Sequence, residues 1–430
     1  MATVVLAYSG GLDTSVAIRW IKEQYDLDVI AVTIDVGNER NLQEISERAI
    51  KIGAVKSMVV DGREDFARYF IWPALQAGAI YEGQYPLATA LARPLIARLL
   101  VEVARQEGAV AVAHGCTGKG NDQVRFDVSI NTLAPDLKII APVREWSMTR
   151  DNEIAYAAEH NIPIKVTAAS PYSVDQNMWG RSIECGILED PWAEPPADVY
   201  AWTDNPDEIS NLEPSYVEIS FQNGIPVALN GEEIDATNLI ETLNKEAGKY
   251  GIGRIDHIED RLVGIKSREI YEAPAAVVLH SAHQALESLT LSRDQIRFKE
   301  TIAAEYARLI YNGQWYSALH QDLAAYVQST QRFVTGIVRM KLSRGRCHIV
   351  GRKSEHSLYS IGLATYDTGD QFDHNAALGF IKLWGLPLST QAQAQLLPSI
   401  GIEGNLLNHE KGNVQITQGN NSRESEPSKA

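Results

Sequence analysis

Residues 7 to 15 read Ala7-Tyr8-Ser9-Gly10-Gly11-Leu12-Asp13-Thr14-Ser15, directly after the apolar run Val4, Val5, Leu6. Such a string suits one task, the holding of a chain of phosphates. Gly10 and Gly11 let backbone N–H groups approach an anion with no Cβ in the way. Ser9, Thr14 and Ser15 add hydroxyl donors, and a helix starting behind the turn adds its positive end. Asp13 either orients the turn or meets, through water, the Mg²⁺ that accompanies a nucleotide. A lone Gly pair would be read as a tight turn, with Asp13 or Thr14 as an ordinary helix cap. Hydroxyls, glycines and a carboxylate within one strand-to-helix turn point instead to pyrophosphate or the β,γ end of ATP. Other phosphate loops do not fit. Gly118-Lys119 is followed by Gly120, and Ala113 stands where a P-loop needs its first Gly. No G-x-G-x-x-G follows a strand, which disfavours the usual dinucleotide fold.

A second constellation is His114-Gly115-Cys116-Thr117-Gly118-Lys119-Gly120-Asn121-Asp122-Gln123-Val124-Arg125-Phe126. If a helix starts near Asn121, then Asn121 and Arg125 share a face, and Asp122 can pair with Arg125. The plain alternative is a capping Asp122 balanced by Arg125. An amide, a carboxylate and cations beside a Gly-rich loop suit a zwitterion such as an amino acid. Cys116 reads as a small buried filler, not a nucleophile. In Tyr85-Pro86-Leu87-Ala88-Thr89-Ala90-Leu91-Ala92-Arg93-Pro94 the pattern favours a solvated Arg93 over an anion-binding one. Arg254 to Glu272 carries an unusual charge load for strand-like sequence and reads by itself as an ion-paired edge. His257 lacks a second His at ligand spacing and reads as structural.

The elements that must carry these residues alternate over the first 165 or so positions. Strand-like runs are Val4–Ala7, Val29–Ile34, Ser57–Val60, Val110–Ala113 and Lys138–Val143. Helical spacing follows at Leu42–Ile52, Asp65–Gln76, Pro94–Gln106 and Asn152–His160, with Pro94 in a first turn. Apolar strands without alternation predict a parallel sheet covered on both faces, with ligands at the strands' carboxyl ends. The fold class is therefore α/β. Beyond Thr167 the texture becomes α+β. It has a hairpin at Asn223-Gly224, a helix capped by Asp235, a capping box at Ser292/Gln295 with a helix reaching Tyr311, and a hairpin at Ser343–Arg346. An apolar stripe, Ala377, Leu378, Phe380, Ile381 and Trp384, suits a subunit interface better than packing back on its own domain. The boundaries read as 1–166 for a nucleotide domain, 167–365 for a second domain, 366–396 for a terminal helix and 397–430 for a disordered tail.

A chain of 430 residues with 45% hydrophobic residues supports two or three packed units. Net charge of −16, with no basic run, makes nucleic acid a poor partner. Cys116, Cys185 and Cys347 show no paired spacing, so a disulfide framework or zinc site is not expected, and a reducing, cytoplasmic setting is. No stretch approaches about 18 consecutive apolar residues, and no signal peptide is legible.

Ser9 to Ser15 resembles the pyrophosphate-binding loop of the N-type ATP pyrophosphatases, and the longer context is similar to the argininosuccinate synthase family. The His114–Phe126 block, Ala92-Arg93-Pro94, Gly253-Arg254-Ile255-Asp256 and Gly264-Ile265-Lys266-Ser267-Arg268-Glu269-Ile270-Tyr271-Glu272 extend the likeness in order to about Leu386. The resemblance implies a nucleotide-binding domain like that of the adenine nucleotide α-hydrolases, then a synthetase domain. It also implies an AMP-forming ligase that joins citrulline and aspartate at the expense of ATP with Mg²⁺, through a citrulline-adenylate, in a homotetramer. It assigns ATP to Ala7, Tyr8, Ser9, Gly10, Gly11, Leu12, Asp13, Thr14, Ser15, Ile34 and Gly115. Aspartate falls to Thr117, Asn121 and Asp122. Citrulline falls to Tyr85, Asn121, Arg125, Ser173, Ser182, Glu259 and Tyr271. Asp13 and Asp122 are the catalytic candidates, Asp122 by receiving or orienting the aspartate amine. Two positions depart from the family pattern. Ala90 replaces a Ser, so that contact is lost or passes to Thr89. Asp260 replaces an Asn, adding negative charge beside Glu259 near the citrulline amino end. The alternatives are another synthetase of the same superfamily, or a nucleotide-binding regulator without catalysis. A glutaminase segment with a catalytic Cys, and the Cys pair and basic surface of a tRNA sulfur-transfer enzyme, are not evident.

Overall fold

In a computed structural model the chain is described over residues 2–37, 41–146, 148–163, 172–209 and 212–396. The tail expected over 397–430 lies outside the described residues. Among the described residues, those up to Tyr359 pack as one unit and those from Ser360 form a second.

The first unit opens with β1 (Thr3–Ala7), α1 (Leu12–Tyr25), β2 (Asp28–Asp35), α2 (Leu42–Ile52) and β3 (Lys56–Asp61). A helical stretch follows, α3 (Arg63–Phe66) and α4 (Trp72–Ala77) joined by a π-helical turn at Ala67–Ile71. Then come α5 (Ala88–Gln106), β4 (Ala111–Ala113), α6 (Asn121–Leu133), β5 (Lys138–Ile140), α7 (Pro142–Glu145) and α8 (Arg150–Glu159). The five strands form one parallel sheet in the order β3-β2-β1-β4-β5. Alternation explains why Val4, Val5 and Leu6 of β1 are all apolar. Val5 joins one core cluster, while Val4 and Leu6 join the cluster on the opposite face with Val16, Ile18 and Ile21 of α1. Order reverses between β1 and β4, so the turns leaving these neighbouring strands open onto one crevice.

Two sequence expectations need correction. The fifth strand ends at Ile140 and not at Val143, because Pro142 has no N–H for the ladder and instead opens α7. Helix α5 begins at Ala88, so Pro94 lies inside it and not in a first turn. The Tyr85 hydroxyl accepts from the Thr89 and Ala90 N–H groups at 2.9 and 3.4 Å. It replaces the capping side chain whose absence had hidden the earlier start.

The rest of the first unit supplies two antiparallel sheets. Strands β6 (Ser173–Asn177) and β7 (Gly180–Glu184) form a hairpin, and β8 (Ser215–Gln222) and β9 (Ile225–Leu229) turn at Asn223-Gly224 with β10 (Glu232–Glu233) at the edge. Helix α9 (Ala236–Gly248) starts at its Asp235 cap, and β11 (Arg254–Asp260) pairs with β12 (Lys266–Glu272). Helices α10 (Pro274–Thr290), α11 (Arg293–Tyr311) and α12 (Ala318–Thr330) precede β13 (Gly336–Ser343) and β14 (Arg346–Lys353). The Ser292/Gln295 capping box at the start of α11 is formed as expected. One sheet runs β10-β9-β8-β13-β14; the other runs β11-β12-β7-β6 and bears the charged segment.

The second unit holds α13 (Ile361–Ala364) and α14 (His374–Gln391). On α14 Leu378, Phe380, Ile381, Leu383, Trp384, Leu386 and Leu388 are all exposed. No helix among the described residues is long and apolar enough to cross a membrane.

Candidate active site

The turns leaving β1 and β4 and one face of the β11-β12-β7-β6 sheet enclose a cleft of about 580 Å³. From the first turn come Ala7, Tyr8, Ser9, Gly11, Asp13 and Thr14, with Ile34 beside them at the end of β2. Gly10, Leu12 and Ser15 do not line the cleft. Ser15 is fully buried, its hydroxyl 3.1 Å from that of Tyr8. Gly11 N–H reaches Ser9 Oγ at 3.3 Å, a long bond that an anion would better. The Arg48 guanidinium of α2 binds the Gly10 carbonyl at 2.9 Å and so fastens the turn from behind. At the second turn a Cβ on Gly115 would lie 2.9 Å from Thr14 Cγ2, so the two turns touch. Only glycine allows that approach.

Every residue assigned to citrulline or aspartate by resemblance lines the same cleft: Thr117, Asn121, Asp122, Arg125, Tyr85, Ser173, Ser182, Glu259 and Tyr271. Strand alternation gathers many of them. Ser173 and Asp175 share one face of β6, Ser182 and Glu184 of β7, and Glu269 and Tyr271 of β12, with Ser182 paired to both Asp175 and Tyr271. The Tyr271 hydroxyl donates to Glu259 Oε2 at 2.6 Å, and its ring stacks on Tyr85 at 4.3 Å. Asn121 is held at both ends of its amide. Its Nδ2 donates to the Tyr311 hydroxyl at 2.7 Å, and its Oδ1 accepts the Leu262 N–H at 3.0 Å.

Charge in the cleft is organised about Asp122. Arg93 Nη2 binds one carboxylate oxygen at 2.7 Å and Arg125 Nη1 the other at 2.9 Å; Arg93 also pairs with Asp175. Burial alone would raise the Asp122 carboxyl, but the two guanidinium groups override it and hold it below its usual value. A carboxylate so held is a poor base and a good anchor for an ammonium group. Arg125 Nη2 is buried without a partner among the described residues, leaving one prong for a substrate carboxylate. Burial, with Asp122 adding to it, pushes the Cys116 thiol up, so it remains protonated as expected of a filler.

Two sequence readings change. Arg93 is not solvated, because α5 is nearly all buried there and turns the guanidinium into the cleft. Asp260 does not add charge beside Glu259. Strand alternation sends it outward, where Lys266 takes its carboxylate at 2.6 Å. Ala90 is fully buried, and Thr89 is the neighbour that faces the cleft. Sequence reasoning also passed over Arg48, Asp175, Glu184, Glu269 and Tyr311, none of which stood beside a Gly-rich turn.

The family model described as arginosuccinate synthase N-terminal HUP domain matches residues 3–163, and that for the arginosuccinate synthase C-terminal domain matches 172–391. The chain belongs to the argininosuccinate synthase family. Curated members bear that name in Dehalococcoides mccartyi, 59% identical over 95% of this chain and 98% of the relative. The Oceanobacillus iheyensis member is 57% identical over 89% of this chain and 92% of its own length. For Dictyoglomus turgidum the figures are 58%, 89% and 96%.

In this member of the argininosuccinate synthase family two carboxyls, Glu269 lining the cleft and Glu153 outside its lining, are pushed well above the usual range. Glu153 of α8 is pushed up to about 8 by burial and by Asp13 of the phosphate turn. Glu269 is likewise pushed up to about 8, by burial and then by Glu184, against the pull of Arg261. Arg261 binds both carboxyls, Glu269 at 2.6 Å, and one guanidinium cannot neutralise two carboxylates. The folded state thus binds a proton at Glu269 that the unfolded chain releases near pH 4.3. Stability from this group is full below that pH and falls as pH rises towards about 8. Calorimetry between pH 6 and 8.5 is expected to show a steeper fall in Tm for the native protein than for Glu269→Gln, by about 2–4 °C. Parallel slopes would contradict the protonated assignment.

Proposed function

We propose that this chain joins citrulline and aspartate into argininosuccinate, converting ATP to AMP and pyrophosphate. A ureido oxygen is a poor leaving group, so an amine cannot displace it directly. The ureido oxygen of citrulline first attacks the α-phosphorus of ATP, and pyrophosphate departs. The aspartate ammonium gives up a proton to water, the free amine attacks the ureido carbon, and the oxygen leaves as part of AMP. Ser9, the Gly11 N–H and Thr14 would meet the charge that grows on the β,γ leaving group. Mg²⁺ carried in by the nucleotide would offset phosphate charge, and Asp13 would either orient the turn or meet the ion through water. Asp122 would hold the aspartate ammonium and Asn121 its neighbour. Arg125 would take the citrulline α-carboxylate and Glu259 the α-ammonium, with Ser173, Ser182, Tyr85 and Tyr271 around the chain.

One observation carries this reading. The phosphate turn and both sets of amino-acid ligands open into a single cleft, so three substrates can be aligned without a bimolecular search. We assign residues 1–166 to ATP binding, 167–365 to closing the cleft over the amino acids, and 366–396 to assembly. The exposed apolar side chains of α14 support a homotetramer, and the three free cysteines suit the cytoplasm. The deciding experiment is exchange of labelled pyrophosphate into ATP. Label should enter ATP only when citrulline is present and without aspartate. Exchange that needs glutamine or tRNA instead would transfer the chain to another branch of the superfamily, and no exchange with any acceptor would favour a regulator.

A further inference from the structure

Tyr311, the last residue of α11, is remote in sequence from every residue read as a substrate ligand, yet it holds three of them. Its hydroxyl donates to Glu259 Oε1 at 2.6 Å and accepts from Asn121 Nδ2 at 2.7 Å. The direction of both bonds follows from chemistry, since a carboxylate only accepts and an amide nitrogen only donates. Burial and the nearby Glu259 charge push the phenol up, so it keeps the proton it donates. Its backbone carbonyl accepts from Arg125 Nε at 2.9 Å, and the Arg125 guanidinium lies 4.8 Å from its ring centroid. The ring cannot slide, because Tyr81 stacks on it at 3.6 Å and 4°. The backbone just beyond is equally tight, for a Cβ on Gly313 would lie 2.8 Å from Arg125 Cα. Tyr311 is fully buried and does not line the cleft.

We propose that Tyr311 is a positioning residue that sets the spacing between Arg125 and Glu259, and so makes the pocket selective for a ligand bearing an α-carboxylate and an α-ammonium together. The inference rests on the reading that Arg125 and Glu259 hold citrulline. On an amino acid the two charged groups sit on one carbon, so their separation is nearly fixed. A cation and an anion on different elements match it only if something ties those elements together. Arg125 sits on α6 and Glu259 on β11, and Tyr311 bonds to both. A ligand with only one of the two charges needs no such registry.

The test is Tyr311→Phe, which keeps the stacked ring and the carbonyl and removes the hydroxyl. Tyr306→Phe serves as control, since it removes a buried hydroxyl from the same helix at a residue that does not line the cleft. The citrulline KM should rise about 10- to 100-fold, with kcat and the ATP KM changed less than about threefold, while Tyr306→Phe moves none of them. Preference for citrulline over 5-ureidopentanoate, its analogue without the amino group, should shrink by a similar factor in pyrophosphate exchange. In a Glu259→Gln background, Tyr311→Phe should add less than about threefold, because the charge being positioned is gone. Should Tyr311→Phe not fold, Tyr81→Leu frees the ring from outside and should raise the citrulline KM in the same direction. An unchanged citrulline KM in Tyr311→Phe, or costs that multiply in the double variant, would overturn the proposal. A Glu259→Gln protein with native citrulline KM would overturn the site reading first and this inference with it.

Discussion

Replacing Arg125 with alanine is expected to raise the citrulline KM by about a hundredfold while leaving the ATP KM within about threefold. The argument is one of valence. Arg125 gives Nε to the Tyr311 carbonyl and Nη1 to Asp122, and only Nη2 lacks a protein partner among the described residues. A charge-assisted bond from that prong to a carboxylate is worth about 1.5–3 kcal/mol, and removing the guanidinium forfeits it. Arg125→Lys should fare almost as badly, because an ammonium cannot serve three acceptors in the plane of a fork. Removal also leaves Asp122 with Arg93 as its remaining cation, so some loss in the aspartate KM is expected as well. Steady-state kinetics with each substrate varied in turn decide the matter. Equal losses for all three substrates would mean the cleft had collapsed, and would count against a citrulline contact.

The second large effect belongs to the phosphate turn. Ser9→Ala is expected to lower kcat by about 10²-fold, with pyrophosphate exchange falling in parallel and the ATP KM changing little. Ser9 Oγ accepts from the Gly11 N–H and lies 3.2 Å from Thr14 Oγ1, at the centre of the donors that line the cleft. A donor preorganised for a leaving group acts mostly in the transition state, and losing one costs about 3 kcal/mol. The same mutation should leave citrulline affinity unaffected, since the donor it removes belongs to the phosphate turn. A raised ATP KM with native kcat would show that Ser9 binds ground state and transition state alike, and would remove it from the catalytic argument.

Both expectations draw on residues already visible in the chain, whereas the groups that make them quantitative were not. Ser9 to Ser15 and Asn121 to Arg125 are short strings in which donors, glycines and charges must lie close whatever the remainder does. The hairpin at Asn223-Gly224 and the caps at Asp235 and Ser292 are legible for the same reason, being set by bonds within a few residues. The burial of Arg93 is not legible because an Arg before Pro in an alanine-rich stretch carries no local sign of it. Pro94 reads as a helix start because the actual cap, the Tyr85 hydroxyl, is a phenol and not a usual capping side chain. Adjacency of Asp260 to Glu259 in sequence does not put the two charges together, because consecutive strand residues face opposite ways.

By itself the amino-acid sequence determined the α/β nucleotide fold, the phosphate turn and the amino-acid turn, for these rest on local backbone geometry and on apolar periodicity. Tertiary structure alone decided which charges meet. It set Asp122 between two guanidinium groups, pushed the Glu269 carboxyl up beside Glu184, and brought Tyr311 under Arg125 and against Glu259. The physical reason is that electrostatic and hydrogen-bond energies depend on distances of a few ångströms between groups hundreds of residues apart, and only the packing of sheets and helices fixes those distances.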